Sequence, residues 1–320
     1  MRILVTGARG FVGSAIERRL RAGGHDIVSG VRRRDLAEHE VFLDLGATEP
    51  IDGLPAGVDA IVHSAAILGA GRFSRETMRV NAGGTRRLLE WARKTSVGHF
   101  VQVSSIGAYG AQCVGEDRRE DTRLCWFPLM PAYLRSKARA ERHVRAAGVP
   151  YTILRLPAVF GANDTVVTPA IVPALLRNAL PRISHRDPRV STLWVRNAAE
   201  VVASVLERGP SSDAFNVADG ETRWADFTGT YAATLGRELV WDERSKATLI
   251  TRSEDNEYQY LVTTGHFGAH FPADRLLAVV PELELADWRE GVHEAVAAYR
   301  AAHGEVAVTA GLAARARARG

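Results

Sequence analysis

The opening segment constrains this chain more than any other part of it. Ile3, Leu4 and Val5 form an uninterrupted apolar run, the pattern of a parallel strand buried on both faces. Gly7, Gly10 and Gly13 follow with the spacing G-x-x-G-x-x-G. Val12, Ile16 and Leu20 then fall on one helical stripe, with Glu17, Arg18, Arg19 and Arg21 around it, and Gly23-Gly24 ends it. Strand, glycine turn and helix start aim backbone N–H groups and the positive end of a helix dipole at a pyrophosphate. A glycine triplet alone also makes ordinary turns; the strand before it and the helix after it are what point to a dinucleotide.

The next strand, Asp26–Val31, bears on which dinucleotide. An NAD site commonly ends this strand with an acid against the ribose 2′-hydroxyl. Here Val31 is followed by Arg32, Arg33 and Arg34, and Arg9 lies inside the glycine turn. Guanidinium groups at this edge can fork onto a 2′-phosphate, although the same residues could be only a solvated basic loop. The missing acid favours NADP (NADPH) over NAD. Asp44, after the strand around residues 41–43, could accept from the adenine amino group, with Leu45 beside it.

Tyr133 and Lys137 stand at i and i+4, on one face of a helix. An ammonium beside a phenol lowers the phenol's pKa. Tyr133 is therefore expected to pass a proton near neutral pH, which its ordinary pKa of about 10 disfavours. A hydroxyl from Ser104 or Ser105 could hold the substrate oxygen. Tyr-x-x-x-Lys is common on solvated helices, so the pair gains its weight from the nucleotide-binding start upstream.

With these motifs in place the chain resembles an extended short-chain dehydrogenase/reductase, in the NAD(P)-dependent epimerase/dehydratase family, over roughly its first 300 residues. Thr6 to Gly13 matches the family's opening, Asp59 to Ala66 its fourth strand and small-residue turn, and Asn81 to Thr85 the start of its next helix. Ser105, Tyr133 and Lys137 match its catalytic residues, and Leu154 to Gly161 the segment that closes over the nicotinamide. The resemblance implies an α/β fold: a Rossmann-type doubly wound parallel sheet with a smaller C-terminal substrate lobe. It implies that Tyr133 is the general acid or base, that Lys137 holds the nicotinamide ribose, and that Ser105 bonds the substrate oxygen. Gly7, Arg9, Gly10, Phe11 and Val12 would lie along the phosphates, with Arg32, Arg33, Asp44 and Leu45 at the adenosine end. Ser64, Ala65, Ala66, Asn81, Val103, Pro157 and Val159 would complete the cofactor site, Asn81 having helix capping as its other role. A homodimer is implied by analogy.

Strand and helix patterns alternate to about residue 160, with helices after Gly13, Asn81 and Pro131 and strands at Ala60–His63, 99–103 and 151–154. Beyond Gly161 an apolar helix is expected over 168–180, a basic loop over 181–189, a strand and helix from Leu193, and a last strand over 214–219. The expected organisation is an NADP-binding domain over 1–162, its sheet completed by about 190–218. A substrate lobe would occupy 163–189 and 219–303, and a frayed tail 304–320. With 320 residues, 46% of them apolar, one or two domains can form. No run approaches the ~18 apolar residues of a membrane span, and the chain opens on its first strand, so neither membrane nor leader is expected. Cys113 and Cys125 make no metal spacing or disulfide framework, which fits a cytoplasmic protein. The net charge of +4, from scattered arginines, suits an anionic cofactor and does not ask for nucleic acid. His266 and His270 are separated by Gly268 and show no acidic partner, so no metal site is expected.

The family contains reductases, sugar epimerases and dehydratases. Dehydratases commonly carry Asp-Glu after the catalytic Thr; here Ile106 and Gly107 follow Ser105 and carry no proton, so dehydration is not expected. A sugar-nucleotide diphosphate would need cations, which Arg177, Arg182, Arg186 and Arg189 could supply. Residues 194–199 instead look closer to 3β-hydroxysteroid dehydrogenases and dihydroflavonol-type reductases. The stretch 124–130 before Tyr133 is apolar and aromatic, through core packing or because it lines the pocket. Trp126 and Phe127, with Leu68, Ile106 and Ser105, are the candidate substrate residues. The leading expectation is an NADPH-dependent reductase of a ketone or aldehyde on a hydrophobic small molecule, reversible as an alcohol dehydrogenase. The alternatives are an NADP-using sugar-nucleotide epimerase or 4-reductase, and a redox-sensing NADP-binding regulator without turnover. Retention of Ser105, Tyr133 and Lys137 speaks against the regulator.

Overall fold

Strand β1 (Arg2–Thr6) lies inside the sheet, flanked by a strand on either side, and Ile3, Leu4 and Val5 are fully buried. Their alternation sends Ile3 and Val5 into one core with Ile16 and Leu20 of helix α1 (Phe11–Ala22). Leu4 enters a second core with Leu88 and Leu89. Both faces are covered, which is why the strand reads as continuously apolar. The structure, a computed structural model, describes residues 1–68, 73–244 and 256–304.

β2 (Asp26–Val31) and β3 (Glu40–Phe42) extend the sheet to one side of β1, and β4 (Ala60–His63) crosses back to pair with β1 on the other. A helical run follows: α2 (Arg75–Thr77), a π-helical turn (Met78–Gly84) and α3 (Thr85–Lys94). Then come β5 (His99–Ser105), a 3₁₀ segment (Ile106–Gln112), α4 (Ala132–Ala146) and β6 (Tyr151–Leu156). After α5 (Val167–Leu176), β7 (Leu180–Ile183), β8 (Arg189–Thr192) and α6 (Val195–Arg208), strand β9 (Asp213–Asn216) completes the main sheet. Its seven strands run in the order β3-β2-β1-β4-β5-β6-β9, all parallel. The rest of the chain gives β10 (Gly220–Arg223), α7 (Trp224–Thr234), β11 (Trp241–Arg244), α8 (Asn256–Phe267), α9 (Asp274–Val279) and α10 (Trp288–His303). β10 pairs antiparallel with β8, and β11 pairs parallel with β7.

Two expectations after Gly161 are corrected. The helix stops at Leu176, and a strand starts at Leu180, the last residue expected to be helical, and runs into the segment expected to be a loop. Asn178 turns the chain with φ +49°, and Leu180 and Ile183 are buried. β7 exists because β11, some sixty residues later, pairs with it; no local pattern announces that partner. The strand expected from Leu193 instead lies at β8, and α6 starts directly after Trp194. Residues 305–320, including Arg315, Arg317 and Arg319, lie outside the described residues.

Candidate active site

The strand order reverses between β1 and β4, and open α/β sheets bind ligands at such a point, beyond the carboxyl ends of the strands. Gly7 leaves β1 in the left-handed region (φ +71°), where an added Cβ would stand 2.8 Å from the Ala65 backbone. At Gly13 a Cβ would stand 2.7 Å from the Ser64 hydroxyl, which itself donates to the Thr6 carbonyl at 2.7 Å. Helix α1 begins after Gly10 with no side-chain cap and no acid in its first turn, so its N–H groups and dipole remain available to an anion. A groove of about 350 Å³ runs past this turn. Its lining contains Gly7, Arg9, Gly10, Arg32, Arg33, Asp44, Leu45, Ala65 and Ala66, all singled out from sequence. Thr6, Gly30, Val31, Leu43, Gly46, Ile67 and Val80 were not anticipated there; as backbone or apolar surface they carry no chemical signal. This construction fits a dinucleotide.

The other expected cofactor residues stand outside that lining. Phe11 and Val12 open α1 half-buried, and Val159 packs half-buried on the main core. Asn81 does not cap a helix. It sits in the π-helical turn, accepts from Ile67 N (2.8 Å), and donates to Ile67 O (2.9 Å) and Ser136 Oγ (3.0 Å), tying the loop after Ala66 to α4.

At the adenosine end β2 finishes without an acid, yet one arrives from β3. Arg9 forks onto Glu40 through Nε–Oε1 and Nη2–Oε2 contacts of 2.7 Å each. Glu40 lies opposite Ser29 in the sheet register, its side chain is only 5% exposed, and it also accepts from Ala37 N at 3.0 Å. The Arg9 guanidinium holds its carboxyl down at about 2. Arg33 is bonded to Asp35 (2.7 Å) and Arg34 lies over the Phe42 ring, whereas Arg32 makes no ion pair among the described residues. Asp44 lines the groove while accepting from Gly46 N at 2.8 Å. Sequence spacing missed Glu40 because its partnership joins the glycine turn to the start of strand β3, 31 residues further along the chain.

Ser105 ends β5 and Tyr133 sits in the first turn of α4, with Gly107 between them. A Cβ on Gly107 would stand 3.3 Å from both Ser105 Oγ and Tyr133 Cε1. Ser105 Oγ accepts from Gly107 N at 3.0 Å and stands near enough to the Tyr133 phenol to lower its pKa. Lys137, buried one turn further on, donates to Val103 O at 3.1 Å, and its Nζ is 5.9 Å from the centre of the Tyr133 ring. The expected lowering of the Tyr133 pKa is corrected. Burial pushes the phenol up, and the Ser105 hydroxyl offsets only part of that rise. Burial instead brings the Lys137 ammonium down to about 8, with the nearby Glu141 carboxylate opposing the fall.

A cavity of about 200 Å³ opens at Ile106 and Pro157, which follow the ends of β5 and β6; Ile106 adjoins Ser105 in the chain, while Ser105, Tyr133 and Lys137 are not themselves in its wall. Trp224, Phe227 and Tyr260 form much of its wall, Trp224 lying edge-on to Tyr260 at 6.1 Å. Cys113, Ser191, Thr192, Thr263 and Thr264 supply its few polar groups, and among the described residues no charged side chain lines it. Of the candidate substrate residues, Ile106 is in this wall. Leu68 (58% exposed), Trp126 (64%) and Phe127 (45%) face outward and are not. Trp126 and Phe127 are therefore not packed in the core either. The paired aromatics of α7, at i and i+3, were the available signal for the wall. Of the four arginines offered for a diphosphate, none lines the cavity. Arg189 is held by Glu116 (3.0 Å) and Asp117, and Arg182 by the carbonyls of His185 (3.1 Å) and Arg186 (3.3 Å). His270 does have acidic partners, Asp117 at 3.2 Å and Glu221 at 3.0 Å. Among the described residues no cluster of side chains could hold a metal ion, and no helix is long and apolar enough to cross a membrane.

The profile of the NAD dependent epimerase/dehydratase family matches residues 3–218. The chain belongs to this family. It is an extended short-chain dehydrogenase/reductase and an NAD(P)-dependent oxidoreductase-type enzyme. It is similar to the 4-hydroxy-2-methyl-3-oxo-4-farnesyl-3,4-dihydroquinoline-1-oxide ketoreductase of Stigmatella aurantiaca, 29% identical over 69% of either chain. It is also similar to the sterol demethylase protein B of Methylococcus capsulatus, 32% identical over 76% of this chain and 74% of that one. Among solved structures, the Bordetella bronchiseptica enzyme WbmH in complex with NAD+ shares the fold. That match has a TM-score of 0.71 at 18% identity, over 93% of this chain and 98% of that one.

Proposed function

We propose that this family member is an NADPH-dependent reductase, reversible as an alcohol dehydrogenase, of a ketone or aldehyde on a hydrophobic small molecule. The observation that carries the reading is the aromatic-walled cavity at Ile106, next in the chain to Ser105, with no charged side chain in its wall among the described residues. A diphosphate would find no cation among those residues, whereas an apolar body gains by leaving water. The two similar proteins are named for a farnesylated quinoline oxide and for a sterol, both hydrophobic.

In this reading the bound dinucleotide supplies the hydride. Ser105 donates a hydrogen bond to the carbonyl oxygen, Tyr133 gives that oxygen its proton, and the Lys137 ammonium stabilises the phenolate left behind. The raised pKa of free Tyr133 keeps it protonated before the substrate arrives. Arg32, with Arg9 and Arg33 nearby, meets the 2′-phosphate. Residues 1–162 and 190–218 hold the cofactor, while 163–189 and 219–303 form the substrate lobe. Trp224, Phe227 and Tyr260 take the pocket role assigned from sequence to Trp126 and Phe127.

Thermal denaturation with NADPH present tests the substrate class. Aromatic or steroid-like ketones are expected to raise the midpoint while UDP- and dTDP-sugars leave it unchanged. Stabilisation by the sugar nucleotides alone would overturn the reading in favour of an epimerase or 4-reductase.

A further inference from the structure

Behind Lys137 lies a buried polar network that the proposed reaction does not use. Glu141 stands one helical turn beyond Lys137 on α4 and is completely buried. Its Oε1 accepts from Ser104 Oγ (2.6 Å) and Arg155 Nε (3.1 Å), and its Oε2 accepts from Arg155 Nη2 (2.7 Å). Arg155, 1% exposed on β6, also donates through Nη1 to Tyr109 Oη (2.9 Å) and Glu120 O (3.1 Å). Tyr109 in turn donates to Asn216 Oδ1 on β9 at 2.6 Å. The carboxylate is thus fixed from two strands, β5 and β6, and cannot swing away.

Burying an ion pair costs several kcal/mol of desolvation per charge, and a hydrophobic pair of the same volume commonly serves stability as well. Stability alone gives no reason for the expense. The placement supplies one. Ser104 adjoins Ser105 in the chain, and Glu141 shares a helix face with Lys137, so the network stands next to two members of the catalytic trio. The groups facing Lys137 are the Val103 carbonyl on β5, Tyr133 and Glu141 on α4, and His63 on β4, which burial keeps neutral with its pKa lowered to about 3. Among the described residues facing it, Glu141 is the only anion.

We propose that Glu141 is a positioning residue for the Lys137–Tyr133 pair: its carboxylate, clamped by Arg155 and Ser104 one helical turn from Lys137, keeps the Lys137 ammonium charged inside a dry site while the Val103 carbonyl holds it. The inference rests on the assignment of Tyr133 and Lys137 made above. Arg155 and Ser104 act through Glu141, and Tyr109, Asn216 and Glu120 brace Arg155.

The test follows Lys137 by NMR in ¹³Cε-lysine-labelled, cofactor-free protein, alongside the pH profile of kcat/KM with NADPH. In the unaltered protein Lys137 is expected to deprotonate with a midpoint of about 8, lowered by its burial. Glu141→Gln is expected to lower that midpoint by about one pH unit and to move the alkaline limb of kcat/KM down with it. Ser104→Ala, which removes a hydrogen bond but no charge, is expected to leave the midpoint within about 0.3 units. Should Glu141→Gln alone not fold, the double variant Glu141→Gln/Arg155→Met removes the pair together, avoids an unpaired buried charge, and is expected to lower the midpoint in the same direction. An unmoved midpoint in a folded variant lacking the carboxylate, or an equal shift in Ser104→Ala, would overturn the proposal. Because the NMR midpoint does not depend on turnover, a wrong substrate class leaves this result readable.

Discussion

His63 should make the nucleotide-binding turn acid-labile, and its replacement should remove that lability. The Thr85 hydroxyl donates to the Asn81 carbonyl at 2.5 Å, so it can only accept from His63 Nε2, 2.9 Å away. That leaves Nδ1 to accept from the Thr6 hydroxyl at 2.7 Å, and Thr6 Oγ1 also accepts from Ala65 N at 3.3 Å. The imidazole is therefore neutral and locked between β1, β4 and α3. Burial, with the Lys137 charge adding to it, lowers its pKa from 6.5 to about 3. The unfolded chain thus binds this proton below pH 6.5 while the folded chain refuses it until about pH 3. Stability is fully present above 6.5 and is lost as pH falls through that window. At pH 5 the difference is roughly 1.5 pH units, or about 2 kcal/mol, against a typical total of roughly 5–15 kcal/mol. Urea unfolding at pH 7 and pH 5 reads it directly. The unaltered chain should lose about 2 kcal/mol more over that interval than His63→Gln does. Parallel losses in the two proteins would refute the locked neutral histidine.

Glu40→Gln frees the Arg9 fork and should tighten NADPH binding about threefold to tenfold by calorimetry while leaving NADH within twofold; unchanged or weaker NADPH binding would show that Glu40 does not restrain the 2′-phosphate site. Gly13→Ala drives a methyl against the Gly7 carbonyl and the Ser64 hydroxyl. It should cost about 1–3 kcal/mol of stability and at least about tenfold in dinucleotide affinity, and retention of both would contradict the close approach described at that turn. His99, with its pKa lowered to about 4 by burial and its Nε2 3.0 Å from the Thr152 hydroxyl, should add a second acid loss of about 2 kcal/mol between pH 7 and pH 5. His99→Gln should remove it, and an unchanged loss in that variant would refute the assignment.

Local pattern carried the sheet domain well. β2 spans Asp26–Val31 and β4 spans Ala60–His63, as their apolar runs indicate, because strands covered by helices on both faces need no partner information to be recognised. The glycine turn, Ser105, Tyr133 and Lys137 were legible for a similar reason, since each is a short motif whose spacing is its geometry. What failed was non-local. β7 exists through β11, Glu40 at the start of β3 reaches Arg9 in the glycine turn, and the cavity wall comes from α7 and α8, far along the chain from Tyr133. The aromatic stretch at Trp126 was closer in sequence and yet faces outward. The pKa of Tyr133 misled because helical spacing fixes which face a lysine shares but not where its long side chain ends. The Lys137 ammonium goes to the Val103 carbonyl, leaving burial to dominate the phenol.

The most direct test of the central claim is transfer of deuterium from the 4-position of labelled NADPH to a hydrophobic ketone, measured with the unaltered enzyme and with Tyr133→Phe. Deuterium should appear on the carbinol carbon. Tyr133→Phe should slow its appearance by about a hundredfold or more, with the NADPH dissociation constant unchanged within about twofold. Transfer at an undiminished rate by Tyr133→Phe, or reduction without label at that carbon, would contradict the account.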